Sequence, residues 1–345
     1  MMPQILNPLE HPGWDSLVLR AGDPGFFHSA AWARILQASY GFKPSYVAAL
    51  DRDRLEMVLP LMEVPGLFGA RRGVSLPFTD YCPPLGDQAL AGEAVRFAID
   101  HGGRAGWRSI EWRDAAGFDA GTPASETYYG HDIDLRGTDE ELLGRLHEGH
   151  RRNIRRAERE GVSIEFSGSL EALRGFCRLN GRTRKRHGLP PQPFAFFAGI
   201  YEHALCRDLG FVVSARRSGR LLAAAVFFHF GGQALFKFGA SDPASFPFRP
   251  NNLIIWEAMR RCRDMGLRSL SLGRTEPDNP GLLRFKRGWG ARERVLRYYK
   301  YDLRKRAFLA RGPISRKRGW QTKLFSRLPD GILRVIGRLA YRYVG

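Results

Sequence analysis

Cysteine is scarce in this sequence: Cys82, Cys177, Cys206 and Cys262 are scattered over 345 residues with no CxxC pair among them. That spacing offers neither a zinc ribbon nor a disulfide framework, so the thiols read as reduced and the compartment as cytoplasmic. Long apolar runs are missing too; the longest, at 221–230, is too short to cross a bilayer and reads as a buried strand. The opening residues MMPQILNPLEHPGW lack a charged start followed by an apolar core and do not read as a signal peptide. None of the histidines stands in HExxH spacing. His147 and His150 share a helix without a third ligand in view, so they read as a solvated or core-satisfied pair and no metal is expected. Acidic residues are the remaining shortage, with 35 Asp and Glu against 54 Lys and Arg, a net charge of +19. Such an excess points to an anionic partner: nucleic acid, a phospholipid surface or a phosphorylated small molecule.

What is present is a folded chain. Hydrophobic residues make up 43% and aromatics 12%, and the length allows two domains. Ser29 precedes a helical pattern carrying Trp32, Ile35, Leu36 and Tyr40. Residues 45–50 and 55–64 then read as a hairpin, 74–78 as a third strand, 93–100 as a helix and 106–112 as a strand. The same order returns later: a helix over 170–185, a hairpin of 211–215 with 221–230, a strand over 234–238, a helix after Pro250 and a strand ending at Leu272. GWRSIEW at 106–112 and GLRSLSL at 266–272 stand at equivalent places in the two series. The repeat predicts a duplicated α/β unit.

The most informative stretch is 246–290. Pro250 is followed by Asn251 and Asn252, which could cap a helix with Ile254, Ala258, Cys262 and Met265 on one face. Leu270 and Leu272 alternate with serines as a half-buried strand would, and a loop rich in Gly, Pro and charge follows. Gly273-Arg274, Gly281, Phe285-Lys286 and Trp289-Gly290, in that order and setting, resemble the C-terminal signature of the FemAB-type acyltransferases in the GNAT superfamily. That resemblance implies an α/β (α+β) fold of two tandem GNAT-like lobes, each a mixed, mainly antiparallel sheet flanked by helices, with substrates in or near the cleft between them. The expected boundaries are 1–137 for the first lobe and 138–290 for the second. Residues 291–345 would return to the first lobe and end in a basic amphipathic helical tail.

The implied activity is N-acyl transfer to an amine, with an anionic small molecule or lipid-linked cell-envelope precursor as acceptor. Phe285 and Lys286 would shape the acyl-donor end, Lys286 stabilising negative charge. Acyl transfer also needs a group to take the amine's proton, for which Asp80 and Tyr81 are candidates against a turn-capping and packing role. Arg274 could clamp phosphate or carboxylate. Arg184, in the basic helix end before Gly188 and Pro190, also matches the family's pattern. Acetyl-coenzyme A enzymes of the superfamily usually carry a [QR]xxGx[GA] loop for the pyrophosphate. Here 240–249 is ASDPASFPFR, so no cofactor is expected to be tightly bound, and the donor is either aminoacyl-tRNA or acyl-CoA.

Two basic segments complete the reading. In 138–161, Thr138 and Glu141 fit a capping box, and Leu142, Leu146, Ile154 and Ala157 form a seam. Arg151, Arg152, Arg155, Arg156 and Arg159 share the other side, either as a solvated face or as a phosphate-binding ridge. From residue 303 onward, twelve Lys and Arg accompany a single Asp. The last helix either packs on the fold or makes peripheral contact with an anionic membrane at its inner face. A non-catalytic protein that recruits nucleic acid or membrane through this tail is the alternative to an enzyme.

Overall fold

The computed structural model describes residues 2–66, 69–113, 117–119, 121–310, 325 and 327–343. In chain order the elements begin with β1 (Gln4–Leu6), α1 (Trp14–Ala21), α2 (Ala30–Tyr40), β2 (Lys43–Pro44), β3 (Tyr46–Asp51) and β4 (Arg54–Leu59). Next come β5 (Met62–Pro65), β6 (Arg71–Val74), β7 (Leu85–Gly86), α3 (Ala91–Arg104), β8 (Trp107–Arg113) and β9 (Glu126–Asp134). They are followed by α4 (Asp139–Arg145), α5 (Glu148–Arg159), β10 (Ser163–Ser167), α6 (Leu170–Arg186), α7 (Phe194–His203), β11 (Gly210–Arg217), β12 (Arg220–Phe230) and β13 (Gln233–Ser241). The rest are α8 (Pro250–Asp264), β14 (Ser269–Thr275), α9 (Pro280–Arg287), β15 (Arg292–Asp302), β16 (Ala307–Phe308) and α10 (Asp330–Ala340).

The chain divides into two compact units, one of residues 1–129, 295–316 and 339–345, the other of 130–294 and 317–338. In the first, β1, β3, β4 and β7 form an antiparallel sheet. The expected strand over 55–64 is in fact two strands in different sheets. Pro60 has no N–H to continue the ladder, so β4 stops and β5 pairs with β2 and β6 instead. The third strand also starts and ends earlier than expected, at Arg71–Val74. It runs parallel to β8, and α3 makes the crossover, covered by a core that includes Val95, Trp107, Ile110 and Trp112.

In the second unit the strand order is β10-β11-β12-β13-β14-β9. Its pairs are antiparallel from β10 to β13, and β13 runs parallel to β14, with α8 as crossover. Each unit therefore holds a parallel pair bridged by a helix within a mixed sheet, the duplicated architecture that the repeat predicts. The β13/β14 ladder joins only Gln233, Ala234 and Leu235 to Ser269, Leu270 and Ser271. β14 is buried on both faces, not half-buried, because Ser271 faces the interior as well as Leu270 and Leu272.

Residues 138–161 form two helices. The capping box is present, Thr138 N–H donating to Glu141 Oε2 (2.9 Å) and Glu141 N–H to Thr138 Oγ1 (3.3 Å). The chain breaks at Leu146, and His147 caps α5 by accepting the Gly149 N–H (3.0 Å). Leu142, Leu146, Ile154 and Ala157 are buried, as their spacing requires.

Candidate functional site

The signature residues meet at the end of β14. Lys286 on α9 is only 6% exposed, and its ammonium donates to the carbonyls of Gly273 (3.1 Å) and Arg274 (2.9 Å). Successive carbonyls of a regular strand point to opposite edges, so one ammonium would not reach both. Gly273 resolves this with φ of 70°, a left-handed turn of the backbone that side-chain-bearing residues seldom adopt. Gly273, Arg274 and Lys286 thus form one device in which a buried cation closes the strand end. Fully buried His131 on β9 lies close by, with Nε2 3.2 Å from Glu293 Oε2. Burial lowers its pKa, Lys286 pushes the same way, and Glu293 opposes. Glu293 in turn accepts two bonds from Arg287 (2.8 and 2.9 Å).

Beside this strand end, His150 ties three helices together. Its Nε2 lies 2.9 Å from the Phe285 carbonyl and its Nδ1 2.7 Å from Asn252 Nδ2. A carbonyl only accepts and an amide nitrogen only donates, so the ring is the neutral Nε2–H tautomer with both nitrogens satisfied. The ring stacks on Trp289 (4.5 Å, 19°) and takes the Phe285 ring edge-on (5.1 Å, 89°). Burial lowers its pKa. Asn252 therefore does not cap α8, and neither does Asn251, which bonds Ser241 Oγ (3.3 Å). Pro250 occupies the first turn after Arg249, where its missing N–H costs nothing. Phe285 of α9, Gly288 just after it, and His150 and Asn153 of α5 line a cavity of about 840 Å³, with Arg145, Arg284 and Arg287 supplying charge.

The α5 ridge bears two further hollows. One, of about 460 Å³, is lined by Arg152, Asn153, Arg156, Arg159, Glu160 and Arg249; the other, of about 410 Å³, by Arg151, Arg152, Arg155, Arg159 and Glu148. Arg249 joins the ridge from the residue before α8. The loop that leads there has most of its donors occupied or missing. The N–H groups of Ser245, Arg249 and Asn252 go to carbonyls within 242–249, that of Ala244 goes to the Asp242 carboxylate, and Pro243 and Pro247 have none.

The remaining candidates belong to other elements. Arg184 donates to the Pro190 carbonyl (3.3 Å), bracing the turn after α6. Asp80 and Tyr81 belong to the first unit. The Asp80 carbonyl accepts the Tyr298 hydroxyl, and Tyr81 packs on the Tyr128, Leu296 and Tyr298 cluster. Sequence reasoning passed over Asn252, Arg249, His131 and Glu293 as site residues. Only Arg249 carried a signal, being a cation directly before a helix-starting proline. Trp289 is core.

Residues 145–287, within the second unit, match the family described as acetyltransferase (GNAT) domain. The fold is that of the FemX crystal structure, with a TM-score of 0.67 at 16% identity over 86% of this chain and 97% of that one. It is also similar to a C-terminal domain (DUF2156) named for lysylphosphatidylglycerol synthetase, from Agrobacterium fabrum (TM-score 0.53, 16% identity, 83% and 90% covered). A tandem GNAT protein from the clavulanic acid biosynthesis pathway aligns over 87% of this chain and 98% of that one (TM-score 0.50, 11% identity). No curated protein matches by sequence. The fold is thereby of the tandem GNAT-like kind that the FemAB-type resemblance of the signature implies.

Proposed function

We propose that this protein is an amide-forming N-acyltransferase that takes an aminoacyl group from charged tRNA and delivers it to the amine of a cell-envelope precursor. The arginine face of α5 with Arg249 carries the reading. It places six guanidiniums around two hollows at the start of the crossover helix, where a polyanionic donor can be gripped in pairs of phosphate oxygens. The neighbouring loop supports charged tRNA over acyl-CoA, since the N–H groups of Ala244, Ser245, Arg249 and Asn252 are already bonded and Pro243 and Pro247 have none to offer a pyrophosphate. Names among the structural relatives agree: one is FemX, another is named for making an aminoacylated phospholipid.

In the transfer, the amine attacks the ester carbonyl of the donor, the carbonyl oxygen gathers negative charge, and the tRNA hydroxyl leaves with a proton. Lys286 is a buried cation that donates to two carbonyls at the β14 end, where in a low dielectric a developing oxyanion would gain from its charge. Arg274 and Phe285 would border the donor, and Arg151, Arg152 and Arg155 would hold its backbone. Asp80 and Tyr81 are assigned to proton transfer from the amine, and Arg184 to substrate contact; D80N, Y81F and R184A test each separately.

The experiment supplies mixed charged tRNA or a set of acyl-CoA donors, together with an envelope-precursor extract, and reads amide products by mass. Transfer from tRNA, with donor KM raised in Arg152→Ala/Arg156→Ala and kcat retained, supports the assignment. Transfer from acyl-CoA alone, or an unchanged donor KM, overturns it. Tail-dependent binding of nucleic acid without any transfer would favour a recruitment protein instead.

A further inference from the structure

We infer that α10 is a docking helix for an anionic phospholipid bilayer, an inference independent of the acyl-transfer chemistry. One side of α10 is already settled against the fold. Leu333 and Gly337 are buried, and a Cβ at Gly337 would collide with the Pro191 carbonyl. Asp330 at its start pairs with Lys185 (2.8 Å). Among the described residues, the other side has no such cover. Ile332, Val335 and Leu339 are 48%, 57% and 60% exposed and follow one another at the three- and four-residue steps of a helical stripe. Large aliphatic side chains aligned in water mark a surface built to be covered.

Charge identifies what covers it. Arg334 and Arg338 flank the stripe and line a hollow of about 570 Å³ together with Arg174, Arg178 and Arg182, in which Asp330 is the single acid. Two exposed aromatics lie in the same neighbourhood. Phe194 borders the hollow, and Phe246 sits beneath Arg186 (5.6 Å), the residue after Lys185. An apolar stripe with a guanidinium border is what an interfacial helix presents to lipid: side chains enter the acyl boundary while arginines meet headgroup phosphates. A second copy of the chain would bring the same positive charge, and RNA would leave the aliphatic stripe wet.

Vesicle flotation of the full chain tests this, using vesicles of phosphatidylglycerol and phosphatidylcholine in equal parts and vesicles of phosphatidylcholine alone. The wild type should float with the first and not the second. Ile332→Ser/Val335→Ser should weaken partitioning by roughly tenfold or more. Arg334→Ala/Arg338→Ala should weaken it by about fivefold per arginine removed, and added salt should act like the arginine variant. All four positions are exposed, and unchanged melting of each variant checks that it folds. Failure to float, equal flotation with phosphatidylcholine, or an unaffected serine variant overturns the inference. So does self-association that the serine variant abolishes, or retention on RNA without retention on vesicles.

Discussion

Two alanines, one near the start of α9 and one at its C-cap, should have different effects. At Gly288 a Cβ would stand 2.5 Å from His150 Nε2 and 2.6 Å from its Cδ2, closer than non-bonded carbon and nitrogen can approach. The imidazole cannot step aside cheaply: it is stacked on Trp289 and bonded at both nitrogens, to Phe285 and Asn252. Relieving the clash strains a packed core, at about 1–3 kcal/mol, or breaks one or two hydrogen bonds, at about 0.5–1.5 kcal/mol each. Gly288→Ala should therefore destabilise by about 3 kcal/mol, which lowers the melting point of a unit this size by about 6–12 °C. At Gly281 the nearest atom to a Cβ is Asn279 Oδ1 at 4.0 Å, and the backbone is already helical. Gly281→Ala should leave stability equal or raise it by about 0.5–1 kcal/mol. Calorimetry or thermal fluorescence of the two variants reads the difference directly. If Gly288→Ala melts with the wild type, His150 is not the fixed point described above.

Other expectations follow from the same geometry. Lys286→Ala leaves one buried and one half-buried carbonyl without this donor, so it should cost about 2–4 kcal/mol as well as turnover; full stability in urea would contradict the bonding described. His150 is held neutral, with its folded pKa below the ordinary 6.5, so the unfolded chain binds the extra proton. Its contribution to stability is complete above that value and is lost as pH falls through the folded pKa. Urea midpoints should drop from about pH 8 to about pH 5, with a shallower slope in His150→Gln; equal slopes would remove His150 as a source. Burial pushes the thiols of Cys177 and Cys262 up to about 12, whereas Cys206 is exposed. A neutral-pH thiol reagent should mark Cys206 well before either, by peptide mass, and early labelling of Cys262 would contradict the packing of α8.

Much of this architecture is written locally and so could be read locally. The capping box at Thr138, the seam from Leu142 to Ala157 and the hairpin of β11 and β12 rest on contacts within a few residues or on strict periodicity. The β4/β5 break was missed because Pro60 sits between apolar residues that keep strand alternation, and only pairing partners reveal that the chain changes sheets. The site divides in the same way. Gly273, Arg274, Phe285 and Lys286 stand out as a pattern, but nothing in it says that the lysine faces the strand's own carbonyls. His150 and Asn252 are 102 positions apart, and their bond exists only once α5 and α8 pack together. Asparagines after a helix-starting proline look like caps until a distant imidazole claims one of them.

The left-handed residue in β14 also constrains how this protein can change. A substitution at 273 that straightens the strand would swing one carbonyl away and strand half of the lysine's bonding, while loss of the lysine would leave a bent strand with nothing to bend toward. The two positions should therefore behave in a laboratory selection as a single inherited trait. Revertants of one should arise by restoring it or by rebuilding the turn, and seldom by repacking elsewhere.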